Sequence, residues 1–175
     1  MVTGGEGRPV AILIGPPGAG KTTIGEALAA ALEVDFHDTD AAIEDEQGCS
    51  ISDIFVLEGE SAFRALERAE VARAVSVERG VVALGGGAPM DSETQAVLAD
   101  HVVVFLDVGI ADAAKRVGFD GSRPLLAMNP RASWTKLMNE RRPTYDRVAT
   151  HHIDTAGRPV DDIVGEIAER LRAAR

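Results

Sequence analysis

The segment Gly15-Pro16-Pro17-Gly18-Ala19-Gly20-Lys21-Thr22 constrains this chain more than any other. It has the form G-x-x-x-x-G-K-[ST]. "VAILI" (Val10 to Ile14) precedes it, a continuous apolar run of the kind that marks a strand buried on both faces. "KTTIGEALAAAL" follows, with Ile24, Leu28 and Leu32 recurring at helical spacing. Strand, glycine loop and helix in that order form a cradle for phosphates. The glycines let backbone N–H groups curl around the anion, and the helix N-terminus adds positive potential. Lys21 would reach the terminal phosphates and the Thr22 hydroxyl would bind Mg²⁺. Gly18, Ala19, Gly20, Lys21, Thr22 and Thr23 are the candidate nucleotide-binding residues.

Further strands are expected at Val34–Phe36, Val81–Leu84, His101–Val108 and His151–Asp154, with helices between them. Those helices are expected at Ala41–Gln47, Ile51–Leu57, Ala62–Glu78 and Ile110–Val117, from a loop ending near Ser133 to about Arg141, and at the C-terminus. "FDGSRPLLAMNPRAS" (Phe119 to Ser133) has no clean period and reads as a long loop. Strands alternating with helices predict an α/β fold: a five-stranded parallel sheet covered by helices on both faces. Ligands then gather at the carboxyl ends of the strands.

At 175 residues one domain is expected, over 10–175. A net charge of -10 argues against nucleic acid as a partner, because phosphate backbones need a basic face. A local cationic cluster could still hold a small anion. Such a cluster is available, since all 18 Lys and Arg except Lys21, Lys115 and Lys136 are arginines, suited to planar recognition of carboxylate and phosphate. Cys49 is the single cysteine, which leaves no internal disulfide and no cysteine-based metal site. No apolar run is long enough for a membrane span. Residues 1–9 read as a disordered leader without a signal-peptide core, so a cytoplasmic monomer is expected.

Other residues fall after strands or around the long loop. Asp38 and Asp40 follow the second strand; two carboxylates so spaced could serve a metal and a substrate hydroxyl, or Asp40 could cap a helix starting at Ala41. Arg64 and Glu67 share a helix face with Glu60. Arg116, Arg123 and Arg141 flank the loop, as if a lid carried positive charge to a phosphoryl group. His37, His101, His151 and His152 have no metal-ligand spacing. "ALGGGAP" (Ala83 to Pro89) places Gly85, Gly86 and Gly87 after the third strand, where something requires bare backbone.

"GPPGAGKTTIG", "DTD", "FRALE", "LGGGAP", "RPLL" and "RRPTY", in this order over nearly the whole chain, resemble the shikimate kinase family. The resemblance implies a P-loop kinase-like three-layer α/β/α fold with a mobile lid at about 119–133. It also implies phosphorylation of the shikimate 3-hydroxyl by ATP with Mg²⁺. By resemblance Lys21, Asp40 and Arg123 are catalytic; Asp40, Arg64, Gly85, Gly86, Gly87 and Arg141 bind shikimate; Thr22 and Asp38 serve the metal; Arg116, Arg123 and Arg158 complete the ATP site. The chain departs from the family's frequent Lys-Ser ending of the phosphate loop, with Lys21-Thr22. A gluconate or nucleoside-monophosphate kinase of similar design, and a nucleotide-binding module without turnover, are the competing readings. The module would need neither Asp40 nor Arg141.

Overall fold

The computed structural model describes residues 7–117 and 129–174. Five strands form one parallel sheet: β1 (Ala11–Ile14), β2 (Phe36–Asp38), β3 (Val81–Ala83), β4 (Val103–Asp107) and β5 (His151–Asp154), in the order β2-β3-β1-β4-β5. The helices are α1 (Lys21–Leu32), α2 (Thr39–Gln47), α3 (Ile51–Glu58), α4 (Glu60–Val77), α5 (Ser92–Leu98), α6 (Ile110–Val117), α7 (Pro130–Val148) and α8 (Val160–Ala173), with a 3₁₀ turn at Ala88–Met90. β1, β3 and most of β4 are fully buried, as their unbroken apolar runs require.

The chain leaves β1 through α1 toward β2 at one edge of the sheet, and leaves β3 through α5 toward β4 in the opposite direction. Right-handed crossovers place these two helices on opposite faces. β1 and β3 are hydrogen-bonded neighbours, with Leu13 opposite Ala83. A crevice therefore opens between their carboxyl ends, which is where such sheets bind ligands. Gly15 follows one strand end and Gly85 comes two residues after the other. A satellite cluster of Ile43, Ile54 and Phe63 packs α2, α3 and α4 together and forms the outer wall of that crevice.

Several boundaries differ from the sequence expectation. β2 is Phe36–Asp38 rather than Val34–Phe36, because edge pairing with β3 (Phe36 opposite Val81, Asp38 opposite Ala83) selects a polar segment that hydropathy does not flag. α2 starts at Thr39, and its cap is Asp38, whose Oδ1 accepts from the Asp40 and Ala41 N–H groups at 2.9 and 3.2 Å; Asp40 is not the cap. α5 was not anticipated; Asp91 caps it, accepting from the Glu93 and Thr94 N–H groups. α7 begins at Pro130, inside the expected loop, and continues past Pro143 to Val148 rather than ending near Arg141. Proline usually ends a helix, but tertiary bonds hold this one on both sides of Pro143. Arg142 makes a paired bond to Asp107 at 2.8 and 2.9 Å, and the Tyr145 hydroxyl donates to the Gly86 carbonyl at 2.6 Å. Of the expected leader, residues 1–6 lie outside the described residues; Arg8 donates to the Asp100 carbonyl and Pro9 is buried.

Asp107 also accepts from His152 at 2.9 Å. Burial alone would raise its pKa, but the bonds from Arg142 and His152 outweigh burial and hold the carboxyl below its ordinary value. A depressed folded-state pKa contributes stability above the unfolded value of about 3.9, lost as pH falls through the folded one. Asp107→Asn should therefore melt below wild type near neutral pH, with the difference closing as pH falls below about 4. Thermal melts across pH check this; equal melting temperatures at neutral pH would contradict it.

Candidate active site

The phosphate loop opens α1. Gly18 and Gly20 take φ values of 84° and 87°, left-handed conformations that glycine adopts without strain. Lys21 folds back over its own loop, its Nζ donating to the Gly15 and Pro16 carbonyls at 2.8 and 3.0 Å. The Thr22 hydroxyl donates to Asp38 Oδ2 at 3.0 Å. Arg116, from α6, clasps the loop from behind, donating to the Gly18 and Ala19 carbonyls at 3.2 Å and to the Thr155 carbonyl. Arg158 donates to the Asp154 carbonyl and pairs with Glu166, each at 2.7 Å. Loop, Thr23, Arg116 and Arg158 line one cleft of about 630 Å³.

A second cleft, about 550 Å³, is lined by Asp40, Arg64, Glu67, Gly85 to Gly87 and Arg141. Pro17, Thr22, Asp38, Asp40 and Gly86 line both clefts. These five residues form a shared wall on which two reactants could meet. Thr22 and Asp38 present adjacent oxygens on that wall, the hard donors that suit Mg²⁺ held chiefly by substrate phosphates.

The second cleft is charged but internally ordered. Arg64 pairs with Glu67 at 2.7 Å and lies over the Phe55 and Phe63 rings at 6.0 and 5.3 Å. Glu67 is 3% exposed. Its burial pushes the carboxyl pKa up, against the opposing pull of Arg64 and Arg141. Arg141, 8% exposed, reaches in from α7. Two planar guanidinium groups and the Asp40 carboxylate lining one cleft suit an acceptor that carries its own carboxylate and hydroxyls.

The three glycines are explained by the protein's own side chains. A Cβ on Gly85 would lie 2.6 Å from Asp40 Oδ1; on Gly86, 3.1 Å from Arg141 Nη1; on Gly87, 2.5 Å from Arg64 Nη1. Each glycine makes room for a different charged group of the cleft. The sequence indicates a requirement for bare backbone, and among the described residues the groups that a Cβ would meet include these charged side chains.

The structure thus brings together Gly18, Ala19, Gly20, Lys21, Thr22, Thr23, Asp38, Asp40, Arg64, Gly85, Gly86, Gly87, Arg116, Arg141 and Arg158 around two adjoining clefts. Arg123 lies outside the described residues. Two side chains had no site role in the sequence reading. Trp134 is 4% exposed and donates its indole N–H to the Pro17 carbonyl at 2.8 Å, and Tyr145 is bonded to Gly86. Trp134, Met138, Arg141 and Tyr145 are the buried residues of α7, a stripe at helical spacing that the glycine- and proline-rich stretch before it obscures.

A phosphate loop after the first strand, a D-x-D that begins on the last residue of the second and a glycine turn after the third, all opening on a switch-point crevice, define a P-loop kinase. A family model described as shikimate kinase matches residues 17–172. The chain belongs to the shikimate kinase family. A shikimate kinase from Thermobifida fusca is 55% identical over 95% of this chain and 97% of its own length, and one from Salinispora arenicola is 50% identical over 94% and 99%. The solved structure of a shikimate kinase from Acinetobacter baumannii in complex with shikimate superposes with a TM-score of 0.92 at 33% identity, covering 97% of this chain and 96% of that one.

Gly18→Ala should cost about 1–3 kcal/mol, because its Cβ would take a left-handed φ of 84° and lie 3.0 Å from the Ala113 backbone of α6. Gly165→Ala, on α8 where a Cβ meets nothing within 4 Å, should leave stability unchanged or raise it. Denaturant midpoints of the two variants check the contrast; equal values would contradict it.

Proposed function

We propose that this chain transfers the γ-phosphoryl group of ATP to the 3-hydroxyl of shikimate, giving shikimate 3-phosphate and ADP on the route to chorismate and the aromatic amino acids. The observation that carries this reading is the shared wall: a phosphate-binding cleft and a cleft lined by Arg64, Arg141 and Asp40 meet at Thr22, Asp38, Asp40 and Gly86. The family relationship supports it, as does a structural neighbour described in complex with shikimate.

In this reading Arg64 and Arg141 grip the ring carboxylate through charge-assisted bonds. Asp40 aligns the attacking hydroxyl, and Gly85 to Gly87 offer the ring a surface free of side chains. Thr22 and Asp38 hold Mg²⁺, which when bound neutralises charge on the phosphates. Lys21 swings from the Gly15 and Pro16 carbonyls to the phosphates, and Arg116 and Arg158 flank the adenine. Arg123 is the residue that the family resemblance assigns to neutralising charge on the transferred group. Phosphoryl transfer of this kind rests on positioning and charge neutralisation. In this reading the enzyme is a cytoplasmic monomer. Among the described residues no helix is long and apolar enough to cross a membrane.

ADP release from Mg²⁺-ATP should depend on shikimate, with neither gluconate nor AMP substituting; comparable rates with either would overturn the acceptor. Arg141→Ala should weaken shikimate binding by about 2–4 kcal/mol, the range for truncating one partner of a buried charge pair, while ATP binding stays within about threefold. Calorimetry with each ligand separates the two effects, and unchanged shikimate affinity would remove Arg141 from the site.

A further inference from the structure

Pro17 and Gly86 are close neighbours: a Cβ on Gly86 would lie 3.5 Å from Pro17 Cδ. One belongs to the phosphate loop and the other to the acceptor turn, and both line both clefts. Their backbone carbonyls are each taken by a side chain of α7. The Trp134 indole N–H donates to the Pro17 carbonyl at 2.8 Å, and the Tyr145 hydroxyl donates to the Gly86 carbonyl at 2.6 Å. Trp134 and Tyr145 are eleven residues apart, about 16 Å along a helix axis. They nevertheless end on two neighbouring residues.

Neither side chain has the freedom of a surface group. Trp134 is 4% exposed and Tyr145 fully buried, with the Tyr145 ring centroid 5.1 Å from that of Phe105 on the buried strand β4. Between them Arg142 fastens the same helix to Asp107 at the end of β4. α7 is thereby fixed to the sheet, and its two aromatic donors hold the two glycine turns from one rigid body. A glycine-rich loop has little to set its own position, since glycine restricts the backbone least. A directional hydrogen bond from a buried side chain to a single carbonyl supplies that restraint.

We propose that Trp134 and Tyr145 are paired positioning residues, a brace that sets the separation between the phosphate loop and the acceptor turn and hence between donor phosphorus and acceptor oxygen. Neither touches the reacting atoms. The proposal rests on the kinase reading for its kinetic consequence, while the brace itself is a property of the free protein. Displacement of one turn against the other penalises the transition state more than either ground-state complex, because each substrate still finds its own cleft intact.

Trp134→Phe and Tyr145→Phe each remove one donor and keep an aromatic ring. Each should lower kcat about tenfold, the worth of one ordinary hydrogen bond, with KM for ATP and for shikimate within about threefold of wild type. The double variant should lose less than the product of the single effects, because both act on one separation. Unchanged kcat in either single variant, even with a lowered melting temperature, would overturn the brace and leave a packing role.

A second measurement needs no substrate. Trp134 is the only tryptophan, so ¹⁵N-labelled protein gives a single indole N–H resonance. Its solvent exchange should be slow in wild type and about tenfold faster in Tyr145→Phe, where the donor at the other end is gone. Exchange that ignores Tyr145 would show two independent contacts and also overturn the proposal. Wild-type protein without shikimate-dependent ADP release would sink the kinase reading, while the indole measurement would still decide the brace.

Discussion

The close approach of two glycine turns governs this molecule. Gly86 sits so close to the phosphate loop that a Cβ on it would meet the Gly15 carbonyl at 3.4 Å, Pro17 Cδ at 3.5 Å and Arg141 Nη1 at 3.1 Å. That approach is possible because β1 and β3 are adjacent and parallel, so their carboxyl ends, and the turns that follow, emerge side by side. The crossover directions then carry α1 and α5 to opposite faces and leave the space above the turns open. Two clefts with a common wall follow from this arrangement. Phosphoryl transfer needs such a wall, since the group must pass between reactants without meeting water.

Charge is arranged locally and against the chain's overall sign. The net charge is -10, yet arginines point toward both clefts: Arg116 and Arg158 at the first, Arg64 and Arg141 at the second. Each buried charge has company. Glu67 lies against Arg64 at 2.7 Å and feels Arg141 as well, which moderates the effect of burial on its carboxyl. Breaking such a buried pair is costly, whereas forming it contributes little net stability. The pairing therefore reads as orientation: Glu67 and the Phe55 and Phe63 rings fix the plane of the Arg64 guanidinium before any ligand arrives.

Much of this was legible in the sequence because the signals are local. The phosphate loop announces itself by glycine spacing between an apolar run and a helical stripe, and β1 and β3 by unbroken apolar runs. Features decided by partners distant in sequence were less legible. β2 is polar and gains its place only by pairing with β3 at the edge. The cap of α2 is Asp38 rather than Asp40, because which carboxylate caps the helix depends on where β2 ends. α7 extends through Pro143 on the strength of Arg142–Asp107 and Tyr145–Gly86, bonds spanning 35 and 59 residues. Trp134 sits beside a segment without periodicity, so nothing local ties it to Pro17, 117 residues earlier. The "LGGGAP" turn was correctly marked as a close approach, but the sequence could not show that Asp40, Arg64 and Arg141 are what approach it.

The central claim is that the two clefts meet at one wall, so that the phosphoryl group passes directly to the acceptor. ³¹P NMR of the complete reaction, with Mg²⁺-ATP and excess shikimate, tests it most directly. One new phosphomonoester on the 3-hydroxyl, equal in amount to the ADP formed and with almost no inorganic phosphate, is the expected result. Inorganic phosphate in step with ADP, or a phosphate on another hydroxyl of the ring, would contradict it.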